Sequence, residues 1–340
     1  MKRTPHQTVD AHSISTSEHS RAAMHKKRRM ELLGTVALLL ASVIWGAAFV
    51  AQSIGMDHIE PFTFNAIRSF VGSLSLAVLI FVVALWKRSR GGNAQKEKAE
   101  KGSAKTLWIG GILCGLALTL ASNLQQFGIA MTTVGKSGFL TALYIIEVPI
   151  FGLLFGKRVK PLIWGCVGIA VGGMYLLCVH ENFTLEMGDL LVFLSSIAFS
   201  IHIMVIDVFA PKVDCIRLSC IQFLVSGTLS LIPMLIFETP NLPSILLAAV
   251  PILYAGIMSS GVAFTLQIVG QKWVSPSVTT LLMSLESVFA LVFGMIILHD
   301  IPSPREGVGA ALVFLAILLA QLDVTKKNAK KSDGEASPKA

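Results

Sequence analysis

A chain of 340 residues that is 54% hydrophobic and 14% charged, with a mean hydropathy of +0.71, lacks the polar surface of a water-soluble domain; soluble domains are about a quarter charged. The formal net charge of +8 does not indicate nucleic acid, because the lysines and arginines lie in short connections and tails instead of on an amphipathic face. The five cysteines show no CxxC pair and fall mostly in apolar runs, so they read as small buried residues and not as a disulfide frame or a metal site.

In chain order, residues 1–31 form a basic tail of disordered composition that ends in His25-Lys26-Lys27-Arg28-Arg29 and does not resemble a cleavable signal. The run LLGTVALLLASVIWGAAFVAQSIG (32–55) then exceeds the ~20 residues a helix needs to cross hydrocarbon. Lipid cannot satisfy free backbone groups, so each such run must be a helix. About ten spans follow from this criterion: 32–54, 62–86, 107–131, 135–156, 161–179, 188–209, 216–237, 245–269, 276–298 and 305–322. The one long connection, 87–106, is glycine- and lysine-rich, and 323–340 forms a second tail. Placing the first tail in the cytoplasm puts 25 of the 28 lysines and arginines on that side and only Arg305 on the other, with Arg68 and Lys136 inside spans. This is the positive-inside rule, and it places both termini in the cytoplasm.

The chain also reads as five spans written twice. A shift of 142 residues lays Leu124-Gln125 on Leu266-Gln267, Gly128 on Gly270, Leu143 on Leu285, Phe151-Gly152 on Phe293-Gly294 and Gly165 on Gly307, without a gap. A shift of 154 lays Gly34 on Gly188, Ser42 on Ser196, Trp45 on Phe199 and Arg68 on Gln222. Five is odd, so the second copy is inverted relative to the first. Inverted repeats are a recurrent plan of secondary transporters, with the substrate site between the halves.

The stretches SVIWGAAFVAQ (42–52), PFTFNAIRSFVG (61–72), GKSGFLTALYIIEVPIFGLLFGKRVKPLIWGCVGIAVGG (135–173) and SPSVTTLLMSLESVFALVFGMIIL (275–298) resemble the EamA family of the drug/metabolite transporter superfamily. The resemblance spans 32–179 and 188–322. It implies an all-α integral membrane protein of ten helices in two inverted five-helix repeats, carrying a small metabolite across the plasma membrane without a cofactor. It implies no particular substrate. Relatives tend to be uncharged where Glu147 stands, so Glu147 inherits no role from the family.

Ionisable groups inside lipid are costly and mark functional sites by default. Glu147, midway along 135–156, reads either as a cavity carboxylate for a cationic substrate or a proton, or as a structural group bonded to a neighbouring helix. Glu286 aligns with Tyr144 at the 142 shift, so both helices point a polar group towards one pseudo-axis. Arg68 reads first as half of a structural ion pair and second as an anion site. Lys136 is expected to snorkel to the headgroups. His202 is a proton relay or a bonded core histidine. Gln125, Gln267 and Asn123 line a cavity or join helices, and Trp45, Phe49 and Tyr144 supply an apolar wall or simple packing. The glycine-rich runs 111–115, 165–173 and 307–311 are expected at close helix crossings. No zinc spacing, nucleotide fingerprint or Ser-His-Asp arrangement is present, so the expectation is a non-enzymatic carrier working by alternating access, possible as monomer or homodimer, with proton coupling through Glu147 or Glu286. A channel or a membrane-embedded protein that transports nothing is the alternative.

Overall fold

The computed structural model describes residues 7–89, 103–132, 134–156, 158–178, 186–298 and 303–334. Most of the 87–106 connection, residues 180–185 of the expected outer loop and the end of the C-terminal tail lie outside the described residues. Every element is a helix: α1 (Gln7–Met56), α2 (Pro61–Ser89), α3 (Ala104–Ile129), α4 (Val134–Thr141), α5 (Tyr144–Leu154), α6 (Pro161–Cys178), α7 (Met187–Phe209) and α8 (Cys215–Phe237). After these come α9 (Leu242–Leu247), α10 (Ala249–Leu253), a π-helical segment (Tyr254–Ala263), α11 (Phe264–Gln271), α12 (Pro276–Met283), α13 (Leu285–Phe293), a second π segment (Gly294–Leu298) and α14 (Pro304–Gly334).

Among the described residues, eight helical runs are long and apolar enough to cross a membrane, with α4–α5, α10–α11 and α12–α13 each counting as one run. A shorter apolar helix, Pro161–Leu176, adds to these, and α14 packs against it. The exterior is apolar, with Leu74, Phe81, Leu154, Leu235 and Val250 turned outward, while Arg68, Gln125, Gln267 and Glu286 are inside. That inversion of the soluble pattern suits a lipid solvent.

Both tails depart from the expectation of disorder. Helix α1 begins at Gln7, 25 residues before the apolar run, and α14 continues to Gly334. The reason is local: no proline or glycine stands between Gln7 and Leu33, or between Gly309 and Gly334, to interrupt either helix. The span expected at 245–269 is also subdivided. Asn241 caps a separate short helix through Ser244 N–H (2.9 Å), and the chain turns at Ala248 before the main run.

The packing repeats itself. A Cβ added at Gly270 would lie 2.9 Å from the Gly34 carbonyl oxygen and 2.6 Å from Leu38. A Cβ added at Gly128 would lie 2.9 Å from the Gly188 carbonyl oxygen and would collide with Val192. These four residues are counterparts at the shifts of 142 and 154, so α1 crosses α11 as α7 crosses α3. A second crossing behaves alike: Gly256 approaches Val71 and the Arg68 carbonyl, and Gly115 approaches Val225 and the Gln222 carbonyl. Here the shift relating the two glycines is 141, not 142. One extra residue therefore enters the second copy between the two crossings, and the π segment Tyr254–Ala263 occupies that stretch. A wider turn is how a helix absorbs an inserted residue without losing phase downstream.

The glycine runs contribute unevenly. Gly110, Gly111 and Gly115 sit at tight crossings, as does Gly173 against α14, but Gly165, Gly168, Gly172 and Gly307 have nothing within 4 Å. The expectation of close crossings along all of 165–173 and 307–311 is corrected accordingly: most of those glycines face outward. Overpacking a tight contact costs ~1–3 kcal/mol. Gly270→Val should therefore lower the thermal midpoint of the detergent-solubilised protein clearly, whereas Gly168→Val should leave it nearly unchanged, as measured by tryptophan fluorescence melting.

Candidate functional site

The repeated helix crossings leave a cavity of about 40 Å³ between the helices of the two copies. Its lining is arranged by the repeat. Five counterpart pairs face it: Trp45 and Phe199, Phe49 and Ile203, Gln125 and Gln267, Thr141 and Met283, Tyr144 and Glu286. Gln52, Arg68, Ser259 and Phe264 complete it. A cavity lined mostly by counterparts lies on the axis that relates the two copies. Of the residues expected from sequence, Glu286, Tyr144, Arg68, Gln125, Gln267 and Trp45 meet here.

The helices break where they reach the cavity. Helix α4 ends at Thr141 and α5 restarts at Tyr144; α12 ends at Met283 and α13 restarts at Leu285. At each break a tight i→i+3 bond replaces an α-helical one: Ile145 N–H to the Ala142 carbonyl (3.0 Å), and Ser287 N–H to the Ser284 carbonyl (3.2 Å). These bonds are themselves counterparts. Pro149 is not the common cause, since Leu291 holds its place in the second copy. In the second break, Ser284 returns its hydroxyl to the Leu281 carbonyl (2.8 Å), a bond that bends helices.

The hydroxyl of Tyr144 donates to Glu286 Oε1 at 2.7 Å. Two residues one repeat apart thus touch across the axis. No other protein hydrogen bond reaches Glu286 among the described residues, so Oε2 is uncommitted. Arg68 donates from Nη1 to Gln52 Oε1 at 2.8 Å and lies 5.8 Å from the Phe64 ring centre. Its Nε is buried without a partner. Among the described residues no carboxylate lies within 4.0 Å of it, which corrects the first reading of Arg68 as half of an ion pair.

The two cavity glutamines are not equivalent. Gln125 donates to Thr141 Oγ1 at 3.1 Å. Gln267 has Met283 in place of Thr141, so its Nε2 lacks the corresponding hydroxyl acceptor. Its Oε1 is buried and unpaired.

Glu147, His202 and Lys136 stand elsewhere. Glu147 does not line the cavity; Ser196 and Ser200 of α7 each donate to its carboxylate at 2.7 Å. The counterpart crossing has Phe289 packed on Gly46 of α1. Glu147 thus fills the place of Phe289, and Ser200 that of Gly46, so a polar crossing replaces an apolar one. His202 lies one layer behind the wall, 5.9 Å from the Phe264 ring, with Nε2 3.0 Å from Gln222 Oε1. Lys136 does not snorkel as expected. It pairs with Asp189 at 3.3 Å, which also accepts from Thr132 (2.5 Å) and from Glu186 N–H (3.1 Å), so the ends of α3, α4 and α7 meet on one buried carboxylate. Sequence reasoning missed Gln52 and Thr141, although each is a polar residue within an apolar run. It also passed over Asp189, Thr132 and Glu238, the last of which accepts from the first amides of α2, Phe62 (2.8 Å) and Thr63 (2.6 Å).

A hydrogen bond to a carboxylate in a dry site contributes ~1–2 kcal/mol. A double-mutant cycle on Tyr144→Phe and Glu286→Leu, read by unfolding in mixed micelles, should return a coupling energy of that size. The same cycle on Tyr144→Phe and Glu147→Leu should return none.

The EamA-like transporter family model matches residues 32–179 and again 186–322. An uncharacterized transporter of Archaeoglobus fulgidus is 28% identical over 295 residues, covering 86% of this chain and 87% of its own length. The uncharacterized transporter YoaV of Bacillus subtilis is 22% identical, covering 85% and 95% respectively. A solved crystal structure at 18% identity superposes with a TM-score of 0.68 over 86% of this chain and 98% of its own, a likeness of fold. With two copies of the family domain in tandem and transporters among its relatives, the chain belongs to the EamA-like transporter family and is a multi-pass membrane transporter.

Proposed function

We propose that the protein is a secondary carrier of a small metabolite, built of ten spans in two inverted five-helix repeats, with both termini in the cytoplasm and the plasma membrane as its site. It works by alternating access, and the central cavity is the substrate site. The observation that carries this reading is the lining itself: five counterpart pairs from the two copies face one polar cavity, and the helices break there in both copies. Discontinuous helices at a repeat interface are the usual substrate site of such carriers. The corresponding helix ends of the two copies differ in chemistry. One is held by the Lys136–Asp189 pair; at the counterpart positions of Lys136 and Asp189, Val278 and Thr35 form no such pair. A cavity of about 40 Å³ holds only a few waters, so this is a contracted state that must widen to admit a solute.

No nucleotide-binding segment accompanies the bundle among the described residues, and a gradient is the assigned energy source. Of the two carboxylates in the expected proton role, Glu286 faces the cavity and Glu147 does not. Export of the metabolite in exchange for protons therefore falls to Glu286.

Proteoliposomes preloaded with a metabolite mixture should take up at least one labelled component by saturable counterflow. A conductance without counterflow would instead mean a channel. An imposed pH gradient should drive flux in the wild type and lose its effect in Glu286→Gln. Glu147→Gln should keep the counterflow rate within about twofold, as expected for a site with no partner shared with the cavity.

A further inference from the structure

Two ionisable side chains of opposite type, a guanidinium and a carboxyl group, line the same small cavity and do not pair with each other. Arg68 leaves Nε without a partner and commits only Nη1, to Gln52. Glu286 commits Oε1 to Tyr144 and leaves Oε2 uncommitted. Both residues are buried, at 5% and 4% exposure. Charges withdrawn from water are stable only when paired and fully hydrogen-bonded. Here each is tethered by one neutral neighbour, Gln52 from the same copy for the guanidinium and Tyr144 from across the axis for the carboxylate, and each has bonding capacity left over.

That arrangement is asymmetric in a telling way. The counterpart of Arg68 is Gln222, whose Oε1 meets His202 outside the cavity lining, and the counterpart of Glu286 is Tyr144. The repeat alone would give a neutral site. This chain has placed a guanidinium in its first copy and a carboxyl group in its second. Around them the wall is apolar, from Trp45, Phe199, Ile203 and Phe264.

We propose that the cavity selects a small zwitterion with an apolar body: its carboxylate bonds to Arg68 and its ammonium to Glu286. The planar guanidinium presents two donors in the fork that suits a carboxylate. The free carboxylate oxygen accepts from an ammonium, and the aromatic wall takes the hydrocarbon part. A solute with one charge pairs one wall of the cavity and leaves the other charge buried without a partner. Discrimination of that kind is strong, because the penalty falls on the wrong ligand. α-Amino acids with aliphatic or aromatic side chains are the common members of this class.

This inference rests on the carrier reading, and the two fail separately. The full-length protein in nanodiscs is titrated with L-leucine, with leucinamide, which lacks the carboxylate, and with 4-methylpentanoate, which lacks the amine. Each of the twenty amino acids is tested alongside, and binding is read by thermal shift and microcalorimetry. Leucine or another apolar amino acid should raise the melting point, and its single-charge analogues should bind at least tenfold more weakly. Arg68→Gln should abolish the preference over the amide but keep that over the acid; Glu286→Gln should do the reverse. Melting of each variant without ligand reports whether it has folded, and Arg68→Lys and Glu286→Asp provide conservative versions. The proposal is overturned if no amino acid binds the wild type, or if an amide or a bare acid binds as well as its parent zwitterion. Saturable counterflow of some other solute in that case would leave the carrier reading standing. Binding of a zwitterion without counterflow would sink the carrier reading and keep the site.

Discussion

In hydrocarbon, a polar side chain has no solvent to fall back on, and the bundle is organised by that constraint. Many of the buried polar groups are answered from within the chain. Glu238 accepts from the first amides of α2, Asp189 gathers Thr132, Lys136 and its own helix start, and Glu147 takes two serines. These contacts fix helix ends and crossings, and they free the centre from any structural duty. Of the buried polar atoms left without a partner among the described residues, Arg68 Nε and Gln267 Oε1 belong to the cavity lining, beside the uncommitted oxygen of Glu286, while others, such as those of Ser219, Ser226 and Thr279, lie outside it.

The close glycine crossings supply the rest of the frame. Without a hydrophobic drive between helices, association depends on van der Waals contact, and small residues let backbones approach. Gly34 on Gly270 and Gly188 on Gly128 are the same crossing made twice, and they set the two copies against each other instead of side by side. The same contacts fix the phase of α11 and α3, which is why Gln125 and Gln267 reach the cavity together. The π segment at Tyr254–Ala263 keeps that phase despite one additional residue.

Much of this was legible in the sequence, because lipid imposes a coarse and readable grammar. Long uncharged runs announced the spans, and the register of 142 residues put Tyr144 opposite Glu286 before any contact was known. The repeat could be read because it rests on identities at fixed spacing. What stayed hidden depended on angles within a turn. Glu147 looked like a substrate group because its depth in the membrane is right; only the face it occupies, towards Ser196 and Ser200, shows it to be part of a crossing. Lys136 looked interfacial because Asp189, 53 residues away, cannot be paired with it by spacing. The inserted residue was invisible, since the alignment begins beyond it. The helical tails were misjudged because composition reports burial, not the absence of helix breakers.

The bond between Tyr144 and Glu286 joins residues that are equivalent by the repeat, so the axis passes between them. Exchanging the two side chains would leave the same hydroxyl facing the same carboxylate in space. The backbone thus does not dictate which copy carries the acid. That choice is made by the unlike neighbours, Thr141 on one side and Met283 on the other, and by the single guanidinium of Arg68. An ancestral site of twofold symmetry would have had no head and no tail. These three departures give the cavity a polarity, and with it a preferred orientation for whatever lies inside.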